Sequence, residues 1–401
     1  MRGEGWRERL ATRLVLFSVL SVGIGQSMTF ALLAPLGREV GLSEVRIGVI
    51  ITCSSLAFTL ASPIWGRTCD RWGRRPVLLI GQFGYTVGCA LFATVFLFGQ
   101  RGLLVGLPLF LLAIFSRVLM ALLMSAAPSA ASAYMADTTS AGARVAGMGR
   151  LGSARTLGAI LGPALSGLLA ALGLLAPIYI AAGISLLATL LLTVVLREPP
   201  RGVATNGGEI RLRLFDRRYF PYILIGFVTF LAFSMMSQTV GFYLQDRFVL
   251  DGRATAQALG LGMMVSSILS LFSQSVLVRR AGMTPRRLMN LGLPVLLTGL
   301  VALPFAGSIP WLVVCLGLHG LALGLISPGF TAGASLAVGA REQGAVGGLV
   351  SACPAAGFVL GPILGTSLYQ WHPHLPYFCA ALLILPLLVY GRRATQAAPV
   401  P

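Results

Sequence analysis

The sequence predicts an all-α polytopic membrane protein, with twelve transmembrane helices arranged as two pseudo-symmetric six-helix bundles. Three observations carry this expectation. The 401 residues are 56% hydrophobic and only 10% charged, with a mean hydropathy of +0.85, whereas a soluble domain is about a quarter charged. Apolar runs of about 20 residues, the length that crosses a bilayer core, recur along the whole chain. The charges collect in short segments between those runs, where exposed backbone and ionised groups can meet water.

Taken in order, a basic amino end (Arg2, Arg7, Arg9, Arg13) leads into the apolar run 14–36. The run is too long for the core of a signal peptide, and no small-x-small cleavage site follows, so it is the first span. Spans 46–66 and 77–99 flank a stretch with four arginines after Gly66, namely Arg67-Thr68-Cys69-Asp70-Arg71-Trp72-Gly73-Arg74-Arg75-Pro76. Charge at that density cannot sit in hydrocarbon, so the chain must turn in water there. Span 104–134 carries Arg117 and runs on to Tyr134 and Asp137, and span 143–171 carries Gly158-x-x-x-Gly162-Pro163. Span 174–196 ends the first half.

The longest hydrophilic stretch, 197–218, contains Pro199-Pro200 and Asn206-Gly207-Gly208 and reads as a cytoplasmic linker between bundles 1–196 and 219–401. Six further runs follow, at 219–245, 255–278, 288–307, 310–338, 343–369 and 374–391. All 30 basic residues are arginine and the net charge is +18. With both termini in the cytoplasm, only Arg38, Arg46, Arg101, Arg247 and Arg253 fall in outer loops, as the positive-inside rule requires. The basic balance is therefore a topology signal, and a nucleic-acid partner is not expected.

The halves look duplicated. A shift of 209 places Arg71 on Arg280, Gly73 on Gly282 and Pro76 on Pro285, and a shift of 199 places Gly158, Gly162 and Pro163 on Gly357, Gly361 and Pro362. Two registers in chain order are the mark of an internal repeat. Asp70 falls on Arg279, so the turn can form without an acid. Asp70 then reads in two ways: as a latch that pairs with loop arginines or with a helix amino end, or as part of a solvated topogenic loop. Small residues four apart, Gly158, Gly162 and Ser166, with Gly167 following, let helices approach closely. By symmetry they and their echo are expected to face one another across the interface between halves.

Arg117 lies 20 residues before Asp137, roughly 30 Å of helix, and so sits deep in the bilayer. A buried arginine is a functional candidate by default, yet no acid lies near mid-membrane. Its partner is open among an anionic substrate, polar side chains with water, and an acid that the boundaries misplace. His319 lies in the tenth span between positions 316 and 326, which the two registers match to Arg117, and reads either as a hydrogen-bonded packing residue or as a proton or ligand site. Gln26, Gln238 and Tyr243 join Arg117 and His319 as candidate lining of a central polar cavity for substrate or proton coupling. No phosphate-binding glycine loop, metal-spaced His/Cys/acid cluster or catalytic triad is present. The six cysteines read as free thiols, so no enzyme, cofactor or metal is expected.

The charged turn, together with Ser62-Pro63-Ile64-Trp65-Gly66 before it and Pro76 to Gly81 after it, resembles the signature loop of the major facilitator superfamily. The Gly162-Pro163 motif, with Ser166 in place of the first closing glycine, and Arg117 followed by Ala133-Tyr134-Met135-Ala136-Asp137 are similar to the drug:proton antiporter branch, of tetracycline-efflux type. The resemblance implies that Asp70 contacts the amino end of the eleventh helix and that Arg74 joins Asp70 and Asp137 in a cytoplasmic charge relay. It also implies that Arg117 serves proton coupling. Gln26 and Gln82 stand where several such antiporters carry acids.

The sequence-level expectation is therefore a monomeric inner-membrane secondary transporter working by alternating access. It exports a small amphipathic, and in one version anionic, compound against protons. The alternatives are a nutrient or metabolite importer or facilitator without proton antiport, and a transport-inactive receptor or scaffold.

Overall fold

The structure, a computed structural model, describes residues 4–139, 144–199, 215–278, 283–339 and 342–394. Among these residues it is all-helical, with α1 Glu4–Glu39, α2 Glu44–Trp72, α3 Arg74–Gln100, α4 Gly106–Thr138, α5 Arg144–Leu169 and α6 Ala176–Val195. The second half comprises α7 Phe220–Phe248, α8 Gly252–Val278, α9 Pro285–Ala302, α10 Ile309–Leu336, α11 Gln343–Trp371 and α12 Leu375–Ala394. Eleven are long and apolar enough to cross a membrane, and the apolar part of α12, Leu375–Val389, is shorter.

Helices α1, α2 and α3 overrun their apolar runs at both ends, because an α-helix satisfies its own backbone and gains nothing by unwinding at the headgroups, whereas α5 and α6 stop just inside theirs. α4 is broken at Ser125, whose N–H donates to the Ala121 carbonyl at 3.1 Å; Pro128 just beyond has no N–H to return to Met124. α8 ends in a wider π turn, Ser273–Val278.

Residues 66–76 do not form a hairpin loop. α2 continues to Trp72 and α3 begins at Arg74, so Gly73 alone is the corner. Its φ of 103° is one that side-chain-bearing residues rarely adopt. The proposed repeat partners of this corner, Arg279, Arg280 and Gly282, lie outside the described residues, as do residues 200–214 of the linker.

The chain divides into two compact units, Met1–Thr205 with Leu250–Gly260, and Asn206–Val249 with Leu261–Pro401. The same seam organises each. In the first, α5 packs along α1; in the second, α11 packs along α7. A Cβ at Gly158 would stand 2.8 Å from the Leu20 carbonyl oxygen, and one at Gly162 would overlap Ser27. Ser27 Oγ crosses the seam to donate to the Gly158 carbonyl at 3.1 Å. In the second unit, Gly357 abuts Phe230 and Leu231, and Gly361 abuts Ser234. The symmetry argument expected the two motifs to face one another, but the surface they occupy is the seam with the first helix of their own unit. The physical reason is that only residues without a side chain allow a backbone-to-backbone approach of this kind. Pro163 and Pro362 lie inside these helices without breaking them. Gly167, one turn beyond Pro163, approaches Ala256 and Gln257 at the start of α8, which belongs to the same compact unit.

Candidate functional site

The corner between α2 and α3 gathers a charge cluster. α3 starts at Gly73, which has no side chain to cap it, so the first N–H groups of the helix need acceptors from elsewhere. Glu198, just beyond α6, supplies them. Its carboxylate accepts from Arg74 N at 2.6 Å and Arg75 N at 2.9 Å, and Arg75 Nη2 donates to the Thr193 carbonyl at 2.9 Å. A Cβ at Gly73 would stand 2.5 Å from Glu198 Oε1, so the bare corner and the cap depend on each other.

With its backbone held this way, Arg74 turns its guanidinium inward. Nε pairs with Asp137 Oδ2 at 2.7 Å, and Nη1 meets Asp70 Oδ1 at 3.1 Å and the Cys69 carbonyl at 2.9 Å. The two ion pairs differ in kind. The Arg74 and Asp137 side chains are 12% and 13% exposed, whereas that of Asp70 is 72% exposed. Asp137 is therefore the structural partner, and Asp70 is a weakly held acid presented to the surroundings. Arg71 is also exposed, one residue before the end of α2.

Arg117 is 1% exposed, the largest fully buried side chain among the described residues. No acid meets it. Its guanidinium lies 5.3 Å from the Phe30 ring centroid on α1 and 5.4 Å from that of Phe92 on α3, with Nη1 3.8 Å from Met120 Sδ, while Nε has no hydrogen-bond partner. The cation is thus held by aromatic faces, a weak substitute for a carboxylate. On α3, Gln82 is fully buried and donates to Ser21 on α1 at 2.9 Å and Ser185 on α6 at 3.0 Å, leaving its Oε1 unpaired.

The other candidates scatter. Gln26 is half-buried and lines a small cavity of about 70 Å³ with Phe58 and Arg155, a cavity that neither Arg117 nor Tyr243 lines. Gln238 is 6% exposed on α7. Tyr243 is a packing residue, 1% exposed, with its hydroxyl donating to the Pro304 carbonyl at 3.0 Å and its ring against Tyr377 and His374. His319 is fully buried against Gly299, with Nδ1 3.1 Å from the Cys315 carbonyl of its own helix and Nε2 without a partner. In this structure Tyr243 and His319 are thus both enclosed by packing.

A model of the Major Facilitator Superfamily matches residues 15–353. The chain belongs to that superfamily. A relative, multidrug resistance protein 1 of Bacillus subtilis (strain 168), is 26% identical over 386 residues, 94% of each chain. The class G tetracycline resistance protein of Vibrio anguillarum is 27% identical over 369 residues, 88% of this chain and 90% of that one. A solved bacterial homologue of the iron transporter ferroportin, in an inward-facing state, aligns with a TM-score of 0.73 at 17% identity, covering 97% of this chain and 99% of that one.

Membership makes the protein a secondary active transporter with the alternating-access fold of the major facilitators, a transport family rather than a catalytic one. Two clusters in the structure were missed by sequence reasoning. Glu198 was legible only as a lone acid after the sixth span, although the uncapped Gly-Arg-Arg-Pro start of α3 was a signal that some acceptor had to come. In the second unit, Arg218 binds Asp216 at 2.8 Å and Glu342 at 3.0 Å, tying the approach to α7 to the start of α11. The hydrogen bond from Arg218 draws the Glu342 carboxyl below its ordinary value, and the hydrogen bonds to Asp216 and then Glu342 raise that of Arg218.

Proposed function

We propose that this major facilitator is a proton-coupled exporter of a small amphipathic drug or metabolite, of the drug:proton antiporter, tetracycline-efflux-like branch. In this reading the amino and carboxyl termini are cytoplasmic, and bundles 1–196 and 219–401 rock about a midplane site. The observation that carries it is Arg117, a guanidinium buried in α4 with aromatic rings in place of an acid. An intramembrane charge without a counter-ion is stabilised by anything that brings negative charge to it, so it couples readily to an anionic ligand or to proton movement. The full-length relatives named for drug and tetracycline resistance support the direction of transport. In the same reading Asp70, the exposed acid, latches one conformation while Arg74 and Asp137 hold the corner, with Arg71 and Gly73 shaping it. His319, Gln238 and Gln26 remain candidates for coupling.

A second reading, facilitated diffusion without proton antiport, draws on one observation. Among the described residues no aspartate or glutamate is buried, and Gln82 occupies the polar position of α3. A single experiment separates the readings. In inverted vesicles with an imposed pH gradient, export predicts substrate-dependent proton release, and facilitation predicts flux without it. Replacing Arg117 with Ala should abolish the coupled signal, and Lys should restore little of it, because an ammonium cannot lie flat between two rings. Full transport by both variants would refute the role given to Arg117.

A further inference from the structure

The seam between α1 and α5 runs in a fixed register. Gly23 faces Gly158, and Ser27 lies against Gly162, an offset of 135 in each case. Both helices run the same way, so the offset carries down the seam: Arg13 comes level with residue 148, beside Arg150, and Leu20 comes level with Arg155. At that level lies a cavity of about 600 Å³, walled by Leu16, Phe17, Leu20 and Leu157 and bounded by Arg13 and Arg150. The smaller cavity that holds Gln26 and Arg155 lies beyond it along α1. All three arginines are exposed, and among the described residues none forms an ion pair. A Cβ at Gly149, which lines the larger cavity, would meet nothing within 4 Å.

We propose that this groove binds an amphiphile with an anionic head (a carboxylate, sulfonate or phosphonate) and a single apolar tail. The two basic side chains at its foot receive the head, the leucines and Phe17 receive the tail, and Arg155 with Gln26 forms a second polar station further into the membrane. The inference rests on the export reading and adds the charge of the substrate and the residues that select it. A transported small molecule fits better than an anionic phospholipid for two reasons. The volume lies within the range of small-molecule sites, about 300–1,000 Å³, which suits one tail better than two. Arg155 also lies eight residues inside the α5 span that begins at Gly147, roughly 12 Å along the helix, so this second station can be used by a head that moves inward and not by a headgroup held at the interface.

The test is equilibrium binding of radiolabelled dodecanoate to the purified protein in phosphatidylcholine nanodiscs, with empty nanodiscs as blank. Saturable binding is expected, displaced by dodecylsulfonate and not by dodecyltrimethylammonium. The Arg13→Gln/Arg150→Gln double variant should weaken it at least tenfold. Gly149→Leu should block it at an unchanged melting temperature, because that position opens on empty space; Arg155→Gln and Gly149→Leu keep the test decisive if the double variant fails to fold. Equal displacement by the cation, or unchanged binding in the variants, would overturn the proposal. So would displacement of dodecanoate by a tenth part of phosphatidylglycerol retained on the protein in native mass spectrometry, which would assign the groove to a lipid headgroup. Dodecanoate binding without proton release would refute the coupling and leave the groove standing. Driven export of another compound with no dodecanoate binding would do the reverse.

Discussion

Removing the Glu198 carboxylate should unfasten the start of α3. The carboxylate accepts two backbone N–H groups, at 2.6 and 2.9 Å, from a helix whose preceding residue offers no side-chain cap. Loss of a side-chain cap costs about 1 kcal/mol, and loss of a negative charge at a helix amino end costs about 0.3–1 kcal/mol more. Glu198→Ala should therefore cost about 1–2 kcal/mol, felt locally. Glu198→Gln keeps one acceptor oxygen and should cost about half as much. Since 1.4 kcal/mol is tenfold in an equilibrium constant, amide exchange in the first turn of α3 should quicken by roughly five- to thirtyfold in the Ala variant. Exchange in the middle of α3 should not change. Because the same turn aims Arg74 at Asp137, the conformational equilibrium of the transporter should shift as well, read as altered labelling of single cysteines placed at either membrane face. Unchanged exchange at the Arg74 and Arg75 amides would refute the cap, whatever happens to transport.

Further outcomes follow at the same corner and at other places in the fold. Asp137→Asn should lower the melting temperature more than Asp70→Asn, since it leaves a largely buried Arg74 without its better partner while the exposed Asp70 pair is worth about 0–1 kcal/mol. If Asp70→Asn slows transport at an unchanged melting temperature, the latch reading stands; transport at the wild-type rate would leave Asp70 only topogenic. Gly162→Val should force α5 away from α1 at Ser27, at a cost of about 1–3 kcal/mol, visible as reduced yield of folded protein. Gly149→Val on the same helix should be tolerated. The Glu342 carboxyl is depressed by Arg218, so its contribution is complete above the ordinary carboxylate value and disappears as pH falls through the lower folded value. The melting-temperature difference between wild type and Glu342→Gln should hold steady from pH 8 to pH 5 and shrink below about pH 4; a difference that moves between pH 5 and 8 would exclude this pair as its source.

The sequence by itself determined the architecture. A bilayer demands about 20 apolar residues per crossing and water at every charged turn, and both demands are local, so they can be read residue by residue. All twelve helices fall on the expected runs; their ends moved outward at α1 to α3 and inward at α5 and α6, because hydropathy marks the apolar length of a span and not where the helix stops. Arg117 was also legible as a deep charge, since depth is a matter of counting along one helix.

What surrounds each residue was decided only by the tertiary structure. Nothing near Arg117 in the chain announces Phe30 and Phe92, and nothing near Gly73 announces Glu198, 125 positions later. The glycine motifs show the same limit: their spacing says that some helix comes close, and only packing says that it is the first helix of the same unit. Pairing and burial depend on which surfaces meet in three dimensions, and a repeat in the sequence preserves the shape of a surface without naming its partner.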